Sequence, residues 1–90
     1  MKLVWSDHAW DDYLHWQSSD TAILRRINDL IKESRRTPFT GIGKPEPLKG
    51  NLADCWSRRI TGSHRLVYRV SGKGADQAFE ILQCRWHYEA

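Results

Sequence analysis

The stretch from Cys55 to Val70, CWSRRITGSHRLVYRV, limits what this chain can fold into more than any other. It reads as two β-strands folded back on one another, carrying four arginines and a histidine. A strand alternates its side chains, so Trp56 and Ile60 share one face of the first strand while Ser57, Arg59 and Thr61 share the other. In the second strand Leu66, Tyr68 and Val70 lie on one side, and Arg65, Val67 and Arg69 on the opposite one. Laid side by side, the strands form a hairpin with an apolar and a basic face. Arg58 on the apolar side and Val67 on the basic side are the exceptions. The apolar face must be covered by another layer; the basic face is free to meet a ligand.

With 90 residues the chain supports one core, and a single domain over residues 1–90 is expected, without linker, repeat or low-complexity run. Hydrophobic residues make up 40%, and no apolar run approaches the ~20 residues of a membrane helix. The opening MKLVWSDHAW turns acidic after Trp5 and lacks the apolar centre of a signal peptide, so a cytoplasmic protein with no membrane partner is expected. A secreted domain this small usually uses more than one bridge, so Cys55 and Cys84 read as reduced core residues. The net charge of +3 and a pI near 9.1 favour an anionic partner without selecting one.

Lys2 to Trp5 is apolar and partly β-branched, and Ser6 with acidic residues behind it reads as a strand ending at a helix N-cap. The first helix runs to about Ser18, with Ala9, Trp10, Tyr13 and Leu14 on its apolar side and Trp16 near the edge. Asp7, His8, Asp11, Asp12 and His15 lie elsewhere. The pairs His8 with Asp12 and Asp11 with His15 lack a third strong ligand, so no metal site is expected. Ser19 or Asp20 caps a second helix, whose Ile23, Ile27, Leu30 and Ile31 form a buried stripe flanked by Leu24. Arg35 and Arg36 sit where the helix dipole favours positive charge, and Thr37-Pro38 stops it.

Phe39 to Pro47, FTGIGKPEP, reads as an irregular loop, because two glycines and two prolines interrupt it. Glu46 stands between Pro45 and Pro47 with Lys44 and Lys49 close by, either as a surface ion pair or as a positioned acid/base. Gly62-Ser63 makes the tight reversal of the hairpin, and Ser71 to Asp76 a second reversal. Phe79 to Trp86 reads as a last strand, with Leu82, Cys84, Trp86 and then Tyr88 alternating with Ile81, Gln83, Arg85 and His87. That phase puts Gln83, Arg85 and His87 on the same sheet face as Arg59 and Arg65. The expected fold is α+β, two N-terminal helices packed on a twisted, mainly antiparallel four-stranded sheet.

No GxGxxG, P-loop, CxxC or HExxH occurs, so no cofactor is expected. What remains is Glu46, Lys49, Arg59, Arg65, His87 and Tyr88, which contain a base, an acid and several cations. Metal-free RNA cleavage needs such parts: a base for the ribose 2′-hydroxyl, an acid for the departing 5′-oxygen, and cations for the crowded phosphate. A basic face that binds nucleic acid or an acidic protein segment without reacting fits these residues equally well.

The strings GKPEPLK at Gly43 to Lys49, WSRRI at Trp56 to Ile60, HRLVY at His64 to Tyr68 and CRWHY at Cys84 to Tyr88 occur in that order. With them, and with WDDYLHWQ and RRTPFTGIG earlier in the chain, the sequence resembles the YoeB (Txe/YoeB) toxins of bacterial toxin–antitoxin pairs over nearly its whole length. The resemblance implies a RelE-like, microbial-ribonuclease-like fold. It implies an endonuclease acting on messenger RNA in the A site of translating ribosomes, neutralised by a YefM-type antitoxin. Carried over by motif, the general base falls on Glu46, the general acid on His87 and the phosphate-stabilising arginine on Arg65. Lys49, Arg59 and Tyr88 match positions that assist binding or catalysis.

Three features depart from that family. The Ser71 to Gln77 reversal is longer, Trp86 stands where a tyrosine is usual, and Glu89-Ala90 continues past the terminal tyrosine. Relatives are often dimers, which leaves a homodimer open. Two other readings use the same scaffold: a non-nuclease ParE-like toxin that inhibits gyrase through protein contacts, and a plain nucleic-acid or acidic-peptide binding module.

Overall fold

The computed structural model describes residues 1–88; Glu89 and Ala90, the extension noted above, lie outside the described residues. The elements are β1 (Lys2–Trp5), α1 (Asp7–Ser19), α2 (Thr21–Arg36), β2 (Glu46–Pro47), β3 (Trp56–Arg59), β4 (Arg65–Ser71) and β5 (Ala78–Gln83). Both helix starts follow local chemistry. The Ser6 hydroxyl accepts the Ala9 N–H at 3.0 Å, and Asp20 Oδ1 accepts the N–H groups of Ala22 and Ile23, supplying acceptors that the first helical turn lacks.

The sheet has five strands in the order β1-β5-β4-β3-β2, one more than expected. The addition is β2, inside the loop that its prolines marked as irregular, where Glu46 pairs with Ser57 and Pro47 with Trp56. An edge strand tolerates proline because one side of its backbone needs no partner. β1 runs parallel to β5 and every other pairing is antiparallel, so the sheet is mixed. Residues 60–64 join β3 to β4 in a wider reversal than a Gly62-Ser63 turn, with the Ile60 N–H donating to His64 O at 3.0 Å.

Both helices cover the apolar face of the hairpin. Ile27, Leu30 and Ile31 of α2 and Ala9 and Trp16 of α1 share a core with Ile60, Leu66, Tyr68, Phe79, Ile81 and Cys84. Each large apolar side chain taken from water there contributes roughly 1.5–3 kcal/mol. On the opposite face Leu48, Cys55 and Val67 form a smaller cluster with Leu52, Leu82 and Tyr88. Both cysteines are free and buried. Among the described residues no helix is long and apolar enough to cross a membrane.

Two face assignments differ from expectation. In α1, Trp10 and Leu14 are 44% and 42% exposed while Asp12 is 8% and Trp16 5%, so the buried stripe is rotated toward Asp12 and Trp16. Asp12 is inside because Oδ2 accepts the Cys84 N–H at 3.1 Å; Trp16 Nε1 donates to the Cys84 carbonyl at 2.9 Å. In β5, Phe79 and Ile81 face the helices and Leu82 the far side, and the strand ends at Gln83 rather than Trp86. A register shift between Val67 and Tyr68 reverses the alternation there. Arg85 and His87 therefore lie beyond the sheet, and Trp86 is 57% exposed.

Candidate active site

On the sheet face away from the helices, Glu46, Ser57, Val67 and Gln83 stand in one cross-strand row. Arg59 and Arg65, paired with each other, form the next position on that face. The Tyr88 hydroxyl donates to Glu46 Oε1 at 3.3 Å. Glu46, Pro47, Leu48, Lys49 and Tyr88 line a groove of about 300 Å³. The fold thus brings Glu46, Lys49 and Tyr88 together and sets Arg59 and Arg65 beside them. His87 is exposed, with its ring centroid 6.3 Å from that of Tyr88.

Glu46 owes its place to a residue that the sequence reading left without a role. Arg58 is completely buried. Its Nε donates to Tyr68 Oη at 3.0 Å, its Nη1 to Ile42 O at 2.9 Å, and its Nη2 to Thr37 O and Thr40 O at 2.6 and 2.9 Å. A guanidinium inside an apolar layer is tolerable only when its donors are satisfied in this way. The result is a clamp on residues 37–42. Next to it, Gly43 has φ +82° and a Cβ there would come within 2.7 Å of Leu30, while its carbonyl accepts the Arg59 N–H at 2.7 Å. The Pro45-Glu46-Pro47 segment leaves from this anchored base. An arginine in apolar register was the only signal of the clamp in the sequence.

The basic residues differ in freedom. Arg59 is exposed, and its carbonyl accepts from Arg26 Nη2 at 3.2 Å. Arg65 is only 8% exposed, and its Nη1 donates to the carbonyls of Thr61, Gly62 and His64 at 2.7, 3.3 and 3.0 Å. One edge of that guanidinium closes the hairpin turn. Arg69 pairs with Glu80 at 2.8 Å. The hydrogen bond from Arg69, with a second from Ser71, holds the Glu80 carboxyl below its ordinary value.

After Gln83 the chain turns away from the ladder and is held by side chains. Gln83 Nε2 donates to the carbonyls of Arg85, Trp86 and His87 at 2.8, 3.0 and 2.8 Å. The Trp86 N–H donates to His64 Nδ1 at 2.8 Å, and the Arg65 N–H to the Trp86 carbonyl at 3.1 Å. Sequence reasoning put His87 on the sheet face of Arg59 and Arg65 and missed this support. Among the described residues no group of three or more His, Cys, Asp or Glu side chains is arranged to hold a metal ion.

Two helices on one face of a mixed sheet, with a carboxylate, an amine and guanidinium groups on the other, make an α+β fold shared with solved structures of small bacterial toxins. Residues 5–88 match the family model described as YoeB-like toxin of bacterial type II toxin-antitoxin system. The chain belongs to this family of type II toxins. It is 59% identical over 88 residues to Toxin YoeB of Escherichia coli K12, covering 98% of this chain and 100% of that protein. The YoeB/ParE toxin from Agrobacterium tumefaciens superposes with a TM-score of 0.94 at 60% identity, covering 98% of this chain and 100% of that one. The YoeB dimer and the heterotetrameric YoeB-YefM complex from Staphylococcus aureus are each 40% identical over 98% of both chains, with TM-scores of 0.86 and 0.85.

Proposed function

We propose that this toxin is a metal-independent endoribonuclease that cuts messenger RNA in the ribosomal A site and so inhibits translation. The observation that carries the reading is the meeting of Glu46 and Tyr88 at 3.3 Å in the groove with Lys49, with Arg59 and Arg65 on the same sheet face.

In this reading Glu46 accepts the ribose 2′-hydroxyl proton. The 2′-oxygen forms a bond to the adjacent phosphorus, the bond from phosphorus to the 5′-oxygen breaks, and His87 gives that oxygen a proton. The products are a 2′,3′-cyclic phosphate and a 5′-hydroxyl, with the base protonated and the acid deprotonated. Lys49, Arg59, Arg65 and Tyr88 hold the phosphate and stabilise the charge that builds on it. Arg65 acts from a fixed position, because its Nη1 is bonded into the turn.

The same reading takes a YefM-type antitoxin as the partner, an acidic extended segment covering the basic face, and a cytoplasmic site of action. Homodimer formation belongs with it, since the Staphylococcus aureus relative is a dimer. The test is to map cleavage of one messenger RNA with and without ribosomes, using His87→Gln as control. Cuts that depend on ribosomes and disappear in the control are expected. Translation arrest without any cut would overturn the assignment in favour of a ParE-like or binding role.

A further inference from the structure

The geometry points to His64 as a positioning residue: by accepting the Trp86 N–H at Nδ1 it fixes the backbone that presents His87 and Tyr88, and it does so only as the neutral imidazole. This rests on the reading of His87 and Tyr88 as acting groups, and concerns how they are held.

Trp86 has φ +64°, the left-handed region that a bulky aromatic residue enters at a cost of about 1–3 kcal/mol. Such a conformation persists where the surroundings over-determine it. Both backbone groups of Trp86 are engaged: its N–H by His64 Nδ1 at 2.8 Å, its carbonyl by the Arg65 N–H at 3.1 Å and Gln83 Nε2 at 3.0 Å. The carbonyl has two donors; the N–H has His64. Because Trp86 immediately precedes His87, a rotation of its backbone swings both His87 and Tyr88.

The imidazole itself has a fixed direction. It packs edge-on against Trp16 of α1, with centroids 4.8 Å apart at 79°, and tilted at 46° against Trp86, with centroids 5.0 Å apart. Acceptance at Nδ1 places the remaining proton on Nε2. The groups around the ring favour that form. Burial lowers its pKa first, then Arg85 of the terminal segment, His15 of α1 and Arg65 of β4; Asp12 of α1 acts in the other direction. Since the folded value lies below the ordinary 6.5, the hold is complete above 6.5 and is lost as pH falls through the folded value. Protonation would convert the acceptor into a second donor facing the Trp86 N–H.

Two variants separate the acceptor from the ring. His64→Phe keeps an aromatic ring and removes the acceptor; His64→Asn keeps an acceptor near the position of Nδ1 and cannot titrate. Circular dichroism first establishes that both are folded. In His64→Phe, amide exchange at Trp86 is expected to rise about tenfold, the worth of one net hydrogen bond. Its kcat for RNA cleavage is expected to fall by roughly 10²-fold with KM little changed. His64→Asn should restore both and abolish the acid-side loosening of the Trp86 amide seen in the wild type. Wild-type exchange at Trp86 in His64→Phe, or loosening with acid that persists in His64→Asn, would overturn the inference. A wild-type protein that cuts no RNA would instead sink the nuclease reading, while the amide measurement still decides the role of His64.

Discussion

Tyr88 reaches Glu46 across 42 positions of sequence, its hydroxyl donating to Oε1 at 3.3 Å. This bond ties the loop that carries the carboxylate to the segment that carries His87. Tyr88→Phe removes it without emptying the groove. In that variant cleavage should fall by less than in Glu46→Ala, because the carboxylate stays in place and Lys49, Arg59 and Arg65 still hold the phosphate. A Tyr88→Phe protein as inactive as Glu46→Ala would mean that the hydroxyl itself takes part in the proton transfers.

Glu46→Ala and His87→Gln should each lower the cleavage rate by about 10²–10⁴-fold, the usual contribution of a general acid or base. Quenched-flow measurement on ribosomes carrying a defined messenger RNA would read this directly. A substrate with 2′-deoxyribose at the cut site should resist, and EDTA should leave activity intact. Cutting of the deoxy substrate would require a different nucleophile.

Arg58→Met should destabilise the protein by about 3 kcal/mol or more, since it leaves Tyr68 Oη and the carbonyls of Thr37, Thr40 and Ile42 without their donor. Calorimetry should show Tm lowered by roughly 10–20 °C. Arg59→Met, at an exposed neighbour, should scarcely change Tm, and equal effects of the two would refute the clamp.

The Arg69–Glu80 pair should give stability an acid-side dependence. Glu80 is held below its ordinary 4.5 by Arg69 and then Ser71, so its stabilisation is present above 4.5 and disappears as pH falls through the folded value. Melting curves from about pH 7 to about pH 3 should show wild type and Glu80→Gln converging at the acid end. Parallel curves would assign the wild-type acid sensitivity to other carboxylates.

Cys84 should resist alkylation in the native protein, because burial pushes its thiol up to about 12 and the thiolate is the reactive form. Mass spectrometry after iodoacetamide should find Cys84 modified only with denaturant present. Rapid native labelling would show that the terminal segment opens.

Much of this architecture could be read from the residues. Alternation in the hairpin identified the layer that Trp56, Ile60, Leu66, Tyr68 and Val70 present to the helices, because a period of two is a strong constraint once one face is buried. The stripe Ile27, Leu30 and Ile31 was equally plain. In α1 hydrophobicity pointed to Trp10 and Leu14, while the fold chose Asp12, whose carboxylate satisfies an N–H 72 positions away. A helical pattern carries no record of a bond over that distance. For the same reason Pro-Glu-Pro drew attention to Glu46, yet its meeting with Tyr88 and the support from Arg58 could be found only in three dimensions.

The place of β5 between β1 and β4 has a consequence for how the molecule is made. The first strand stays without its sheet neighbour β5, and Ser6 without a bond to Leu82 that spans 76 positions, until almost all the described residues have been synthesised. Loop closure over that length is slow and comes late. A nascent or truncated chain that stops before Ala78 lacks β5 and the segment after it that bears His87 and Tyr88, so the sheet order withholds a finished site until that segment has been made.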